Sequence, residues 1–341
     1  MNIVKKISIT NFRCHDNFEL NITNPTTLIT GPNGSGKTSI IEALYISLRG
    51  KSFKSTDQYI IKNQANSYHI QVDFHDTTIR KTSYQRLTSK KEFLIGDKKS
   101  TRLPVKYRYP IIFFEPNHLN LIYSSPSRRR AFLDDLISQI NPSYHQAVNR
   151  YEKALKQRNA LLKSDHITKE KLFPWDIIIA KYGSEIINTR KLYVDKINQS
   201  ITGIYKSIAN QPDQLQVTYT TNPLNETEFL KILEKNLPID QVTKSTSFGP
   251  HRDDMIFYFN HHLAVDTASR GELRSSILAL KFIETQLVEK HLNQSPIILL
   301  DDIFSELDEP RQRHLTNNFQ SHQIIITSTK PPKNIRPTIQ L

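Results

Sequence analysis

The sequence predicts an α/β fold interrupted by a helical insertion, and three observations predict it. Short apolar runs with strand character occupy both ends of the chain. A glycine-rich turn joins one of them to a helical pattern, and the middle of the chain spaces its apolar residues by threes and fours. At the N-terminal end, residues 3–12 alternate loosely through Val4, Ile7, Ile9 and Phe12, and Phe18 to Ile22 alternate again. Asn24-Pro25 supplies a turn, and Thr27-Leu28-Ile29-Thr30 reads as a short buried strand. Gly31-Pro32-Asn33-Gly34-Ser35-Gly36-Lys37-Thr38 follows at once, and Ser39 to Leu48 continues as a helix.

Strand, GxxxxGK[ST] and helix in that order are the context a phosphate loop requires. Glycines let backbone N–H groups turn inward around phosphate oxygens, and the helix directs its N-terminus at the same charge. The chain has nine glycines, and Gly31, Gly34 and Gly36 all fall inside this loop, which argues against a chance turn. Lys37 is expected to reach the outer phosphates and Thr38 to ligate Mg²⁺.

A phosphate loop needs an acidic strand end to hold the metal, and one stands far along the chain. Pro296 to Leu300 is wholly apolar, as in a central strand covered on both faces, and it closes on Asp301 and Asp302. Asp301 is placed to coordinate the metal, and Asp302 to orient or deprotonate a water. Gln323 to Thr327 gives another buried strand, with Thr327 and Ser328 at its end as γ-phosphate sensor candidates. Between these elements, Ser269-Arg270-Gly271-Glu272 opens a strongly apolar helix, Leu273 to Glu289. Its free N–H groups suit a phosphate, although Ser269 acting simply as a helix cap is an equally direct account.

Residues 127 to about 240 have a different character. Val148, Tyr151, Leu155 and Leu162 line one helix face, with Arg158 breaking the stripe. A longer stripe runs from Trp175 through Ile186, Tyr193 and Ile201 to Ile208. Ser164 to Thr168 reads as the turn of an antiparallel pair. A strand is expected within Asp213 to Thr221, then a loop-rich return up to Thr246, and a loose tail from Lys330 to Leu341. A 20-residue helix spans only about 30 Å, so long coiled-coil arms are excluded.

The 46 Lys and Arg against 33 Asp and Glu leave +13 on 341 residues, a balance that suits a polyanionic partner. Candidate contacts are Arg49, Lys51 and Lys54, the lysine pairs 90–91 and 98–99, and Arg128, Arg129 and Arg130, all of a kind that grips phosphates without reading sequence. The arginine run is equally suited to pairing with acids across a core. The lone cysteine, Cys14, gives no disulfide framework, the histidines form no zinc motif, and no apolar run is long enough to span a membrane. A cytoplasmic protein is expected, nucleoid-associated when acting.

Phosphate loop, serine-glycine helix opener, double-acid strand and Ser305-Glu306-Leu307-Asp308 occur in the order found in ABC-type ATPases. More narrowly, the chain resembles the RecF family of bacterial recombination mediators, related to SMC and Rad50 ATPases. The matching stretches run from end to end: Asn11-Phe12-Arg13, Gly31 to Thr38, Phe113 to Pro116, Ser127 to Asp134, Phe248 to Asp254, Ser269 to Arg274 with Ala279 to Lys281, and Leu299 to Asp308.

The resemblance implies a P-loop NTPase of ABC ATPase type, similar to Rad50 and SMC heads, with a short helical arm inserted between the two halves of the ATPase core. The expected divisions are 1–125, the arm 126–245, 246–330 and a tail 331–341. It implies MgATP held by Lys37, Thr38 and Asp301, with Arg13 reaching the nucleotide. Ser269, Arg270, Gly271 and Glu272 of a second copy would close over the γ-phosphate, beside a D-loop carrying Ser305 and Asp308. Asp302 falls where such ATPases usually place a glutamate, which implies slow, DNA-stimulated hydrolysis. No glutamine of the Q-loop type is assigned, and residues 115–119 are where it is sought.

The family's work implies single-stranded, double-stranded and gapped DNA as partners, with mediators of the RecR and RecO type and a RecA-type recombinase. Recombinational repair, fork maintenance and SOS induction follow as its setting. Three other readings compete: a nucleotide-dependent scaffold with little turnover, a transporter ATPase subunit, and a P-loop kinase. The basic, non-amphipathic arm argues against the transporter, and the Ser269–Arg274 opener has no task in a kinase.

Overall fold

The computed structural model describes residues 3–164, 168–332, 335 and 338–341. The chain divides into two compact units, one built from 1–118 with 288–341 and the other from 119–287. The second stretch of the first unit begins at Val288, inside a helix.

In the first unit, β1 (Val4–Phe12) pairs antiparallel with β2 (His15–Asn21) and with β4 (Ser67–Phe74). The sheet continues through β5 (Ile79–Gln85), β6 (Lys90–Ile95) and β7 (Lys98–Ser100) in the order β2-β1-β4-β5-β6-β7. A second sheet is parallel. It contains β3 (Thr26–Thr30), β8 (Ile111–Phe114), β12 (Ile297–Asp301), β13 (Ile324–Ser328) and β14 (Ile339–Gln340), ordered β14-β3-β13-β12-β8. Buried on both faces, β12 and β13 carry the unbroken apolar runs seen in the sequence.

Helix α1 (Lys37–Arg49) shares one apolar core with both sheets, packing Ile40, Ile41, Leu44 and Leu48 with Ile7, Ile70 and Val72 and with Ile29, Leu299 and Ile325. A helix buried through nine consecutive residues, Ile40–Leu48, needs apolar side chains on most of its faces, and all but Glu42 and Ser47 are apolar here. Gln323 ties the sheets together: its Oε1 accepts from Ile3 and Val4 N–H at 2.9 and 2.8 Å, and its Nε2 donates to the Val4 carbonyl at 2.7 Å. The expected tail also differs, since Ile339 and Gln340 pair with Ile29 and Thr30 as a strand.

The second unit is mainly helical, after α2 (Pro116–Leu119) at its border: α3 (Pro126–Ile140), α4 (Pro142–Leu161), α5 (Lys169–Asn198), α6 (Ile201–Ala209) and α7 (Glu226–Thr243). A small sheet joins β9 (Leu215–Tyr219), β10 (Met255–Phe259) and β11 (His262–Leu263), followed by α8 (Ala264–Thr267) and α9 (Arg270–Leu292). Side-chain pairs 144–190, 150–182 and 158–176 show α4 and α5 running antiparallel, as expected.

Four details depart from expectation. The loop-rich return is mostly α7, started by a reciprocal capping box between Asn225 and Glu228. The long stripe is two helices, α5 and α6, parted at Gln199 and Ser200. At 30 residues α5 spans about 45 Å, longer than the 20-residue helix envisaged and still far short of a coiled-coil arm. Arg158 is fully buried and bonds Asp176 at 2.5 Å and Asp240 at 2.7 Å, so it pins α4 to α5 and α7 instead of interrupting the stripe. The turn expected at 164–168 lies mostly outside the described residues.

Candidate functional site

Parallel register brings the site together. Asp301 lies opposite Thr327, and Ser328 lies opposite Thr30, so three strands end side by side where the phosphate loop begins. Ligand sites in such sheets form outside the carboxyl ends of the strands. Thr38 Oγ1, in the first turn of α1, stands 3.0 Å from each Asp301 carboxylate oxygen across 263 residues of sequence. Lys37 is 4% exposed. Its ammonium donates to the Gly31 and Pro32 carbonyls at 2.9 and 3.0 Å and lies 3.9 Å from Asp302. Ser35 Oγ and Asp302 Oδ1 are buried without a hydrogen-bond partner among the described residues.

Gly36 must be glycine. Its φ of 96° lies in the left-handed region, and a Cβ there would come within 2.3 Å of His15 Nε2 and 2.6 Å of Cys14 Sγ. The β1–β2 turn therefore rests directly on the phosphate loop, with His15 Nε2 3.1 Å from the Gly36 carbonyl. Neither Cys14 nor His15 was singled out from the sequence for this place, because the contact is tertiary.

Asp301 and Asp302 are adjacent but differently held. Asp301 accepts from Thr327 Oγ1 at 2.7 Å as well as from Thr38. Burial raises its pKa above the ordinary carboxylate value, these two hydroxyls oppose the shift, Asp302 adds to it, and Lys54 counters it. Asp302 sits in the left-handed region at φ 48°. Its N–H donates to the Thr327 carbonyl and hydroxyl at 3.1 and 3.0 Å, while Ser305 Oγ caps its carbonyl at 2.7 Å. Such a backbone persists in a non-glycine residue only where its surroundings hold it.

Hard oxygen donors from Thr38 and Asp301 fit a magnesium ion that keeps phosphate and water as its other ligands.

Other sequence-predicted residues take different places. Arg13 forms a bidentate pair with Glu42 of α1, at 2.9 and 2.8 Å, and also donates to Ser55 Oγ and the Tyr59 carbonyl. It thus braces the region beside the phosphate loop, and direct contact with a nucleotide would require it to leave these partners. Glu42, which the sequence reading passed over, also accepts from Ser52 at 2.5 Å and anchors the loop leading to Lys54. Lys54, a DNA-contact candidate, is exposed, and its charge also acts on Asp301.

Thr327 and Ser328, the sensor candidates, are engaged, Thr327 with Asp301 and Ser328 with the Lys330 carbonyl at 2.6 Å. Asp308 caps α10 (Glu309–Asn318) by accepting from Arg311 N–H. Ser269 and Glu272 cap α9 reciprocally, the Ser269 N–H donating to Glu272 at 2.6 Å and Ser269 Oγ accepting from the Glu272 N–H at 3.3 Å. The helix-cap account of Ser269 thus describes this structure. Arg270 and Ser269 are exposed, and Gly271 is half-buried.

Of the DNA-contact candidates, Lys51 and Arg128 are exposed and Arg49 is half-buried at the end of α1. Arg129 and Arg130 are corrections. Arg129 grips Asp254 in a bidentate pair at 2.7 and 2.6 Å and also donates to the Ile122 and Ser124 carbonyls, while Arg130 donates to the Asp253 carbonyl at 2.6 Å. The two motif stretches 127–134 and 248–254 therefore bind each other.

Arg190 completes that cluster, reaching Asp134 at 2.8 Å and the Pro250 carbonyl at 2.6 Å. His251 lies between the Tyr151 hydroxyl at 2.6 Å and the Thr246 carbonyl at 3.0 Å. A carbonyl only accepts, so Nε2 carries the proton and Nδ1 accepts from Tyr151. Gly249, at φ 134°, leaves room for that hydroxyl, which a Cβ would approach to 2.5 Å.

Comparison with known proteins agrees with this arrangement. The family profile described as RecF/RecN/SMC N terminal domain matches residues 3–334. The DNA replication and repair protein RecF of Clostridioides difficile is 32% identical over 348 residues, spanning 96% of this chain and 91% of that protein. RecF of Agathobacter rectalis is 34% identical over 342 residues, with 96% and 92% covered.

Among solved structures, the recombination mediator protein RecF of the RecFOR pathway with ATP superposes with a TM-score of 0.88 at 27% identity, covering 99% of this chain and 94% of that one. The SMC head domain of Pyrococcus furiosus shares the fold alone, with a TM-score of 0.54 at 15% identity, covering 97% of this chain and 90% of that one. With its phosphate loop and acidic strand joined at one sheet edge, the chain belongs to the RecF family, within the superfamily of SMC- and Rad50-type ABC ATPases.

Proposed function

We propose that this chain binds ATP at the carboxyl edge of its parallel sheet, closes as an ATP-dependent homodimer, and in that form holds DNA during recombinational repair. The observation that carries the reading is the convergence of Lys37, Thr38, Asp301 and Asp302 from opposite ends of the chain. Solved RecF structures with ATP and with ATPrS, at 27% identity, add support.

Lys37 exchanges the Gly31 and Pro32 carbonyls for phosphate oxygens, and the loop N–H groups take the rest of the charge. Thr38 and Asp301 would hold Mg²⁺, which would supply charge neutralisation for the bound phosphates. The open Asp302 carboxylate orients the attacking water, and being one methylene shorter than the usual glutamate it does so slowly. The signature Ser269–Glu272 of a second copy covers the γ-phosphate, and Ser305 and Asp308 form the D-loop beside it.

The +13 charge supports binding to single-stranded, double-stranded and gapped DNA through phosphate contacts, with Arg49, Lys51, Lys54, Arg128 and the lysine pairs 90–91 and 98–99 as candidates. Partnership with RecR- and RecO-type mediators and a RecA-type recombinase, in fork maintenance and SOS induction, belongs to the same reading. A scaffold with little turnover is the second reading, favoured by an aspartate at position 302. The chain has no helix among its described residues long and apolar enough to cross a membrane, and a cytoplasmic site of action fits this role.

Fluorescence anisotropy of a labelled gapped duplex, at one salt concentration, with MgATP, with MgADP and without nucleotide, tests the proposal. Tight binding only with MgATP, lost in Lys37→Ala, is expected. Equal binding in all three states would overturn the nucleotide-dependent clamp.

A further inference from the structure

The opposite end of α1 carries a second concentration of positive charge. A half-open cavity of 660 Å³ is formed within the first unit, with Arg80, Lys106, Arg108, Tyr107, Tyr109 and Phe74 among its lining. Helix α1 separates it from the phosphate loop by about 18 Å, the rise of its 12 residue steps from Lys37 to Arg49. The two are therefore distinct sites.

Its walls are fixed. Arg80, only 5% exposed, donates to the Ser47 carbonyl in the last turn of α1 at 2.6 Å and to the Tyr107 carbonyl at 2.7 Å. The Tyr109 N–H adds a bond to the Leu48 carbonyl at 3.0 Å. Arg80 also lies over the Phe74 ring at 5.0 Å, and Lys106 lies over Tyr107 at 4.8 Å. The segment 105–109 is thereby latched to the end of α1 with its aromatic and cationic groups in place.

The lining sets three cations, Arg80, Lys106 and Arg108, against one carboxylate. That carboxylate is Asp76, whose Oδ1 accepts from the Thr78 N–H at 2.9 Å and whose charge acts on Arg80 rather than on Arg108. Arg108 has no carboxylate or hydrogen-bond partner for its side chain among the described residues, and the Nε atoms of both Arg80 and Arg108 are buried without an acceptor. Its charged neighbour is instead another arginine, Arg49, and burial together with that repulsion lowers the pKa of Arg108. A half-buried guanidinium with no carboxylate partner is unfavourable unless an anion joins it, and its planar fork suits phosphate oxygens.

We propose that this cavity is a second anion site, taking a phosphate-bearing small molecule of nucleotide size. Arg108 and Lys106 hold the phosphate, and the Tyr107 and Tyr109 walls accept a planar group. The volume falls in the range of small-ligand pockets. Phosphate is also carried by nucleic acid, so the chemistry has two sources that the test must separate.

Isothermal titration of the full chain carrying Lys37→Ala, which disables the phosphate loop, uses sodium pyrophosphate, thymidine monophosphate and a short single-stranded oligonucleotide in turn. Pyrophosphate and the monophosphate are expected to bind, and adding Arg108→Gln or Lys106→Gln weakens each about tenfold or more, equivalent to removing one charge-assisted contact. Both side chains lie outside the internal hydrogen-bond network, so unchanged melting temperatures are expected and show that the fold survives. If Arg108→Gln weakens only the oligonucleotide, the site takes strand phosphates and the small-molecule assignment falls. If it changes none of the three, the cavity is not an anion site.

Discussion

The carboxyl edge of the parallel sheet and the polar cluster of the helical unit use the same residue types to opposite ends. At the sheet edge, Asp302 Oδ1 and Ser35 Oγ lack partners among the described residues, and Lys37 rests on carbonyls that phosphate oxygens can replace. In the cluster, Asp134, Asp253 and Asp254 are each matched to Arg190, to Tyr219 with Thr221, and to Arg129. A charged group left partly unmatched is available for chemistry, whereas one matched on every side holds the fold together. Residue identity alone does not tell the two apart, which is why Arg129 and Arg130 were grouped with DNA contacts.

Breaking the closed cluster should have the largest effect. Arg190→Met leaves Asp134 without its cation, and breaking a buried pair in this way costs about 3–5 kcal/mol. Urea unfolding should show that loss, while the folded fraction binds nucleotide as before. Normal stability in Arg190→Met would dissolve the distinction between the two regions. The converse change is Lys37→Ala, for which nucleotide affinity should fall about a hundredfold, or roughly 2.7 kcal/mol. The melting temperature without nucleotide should move little, since the lysine serves the ligand more than the fold.

The smallest effect is expected from His251. Burial, with Arg252 and Arg130 nearby, pushes its pKa down to about 4 from an ordinary 6.5, against the pull of the Thr246 carbonyl. The unfolded chain therefore binds the proton more readily between those values. The stabilisation is complete above pH 6.5 and is lost as pH falls towards 4, with no further loss from this group below that. Thermal unfolding across that window should show the slope, and His251→Gln should flatten it. An unchanged slope in the variant would assign the effect to other groups.

How much of this was legible follows the range of the interaction. The phosphate loop and the β12 strand with its two acids were readable because each is a local pattern with a physical requirement behind it. The capping box of α7, Asn225 with Glu228, is equally local, yet the sequence reading gives that stretch as a loop-rich return. Arg129 meets Asp254 across 125 residues, and Arg158 meets Asp240 across 82, so no periodicity announces either. Glu42 was hidden differently, since it sits in the buried stretch of α1 and its partner Arg13 comes from another strand end. The β14 strand was missed because two residues are too few to carry an alternation.

The left-handed backbone at Asp302 sets the interests of the fold against the catalytic role proposed for this residue. An L-residue with a Cβ is strained by roughly 1–2 kcal/mol in that conformation, and its charge lies beside Asp301. Glycine would relax the backbone, and asparagine tolerates it while removing the repulsion. A library selected for heat resistance alone should therefore collect Asp302→Gly and Asp302→Asn, and one selected for turnover should reject both. On the role proposed for Asp302, this position sets durability against turnover.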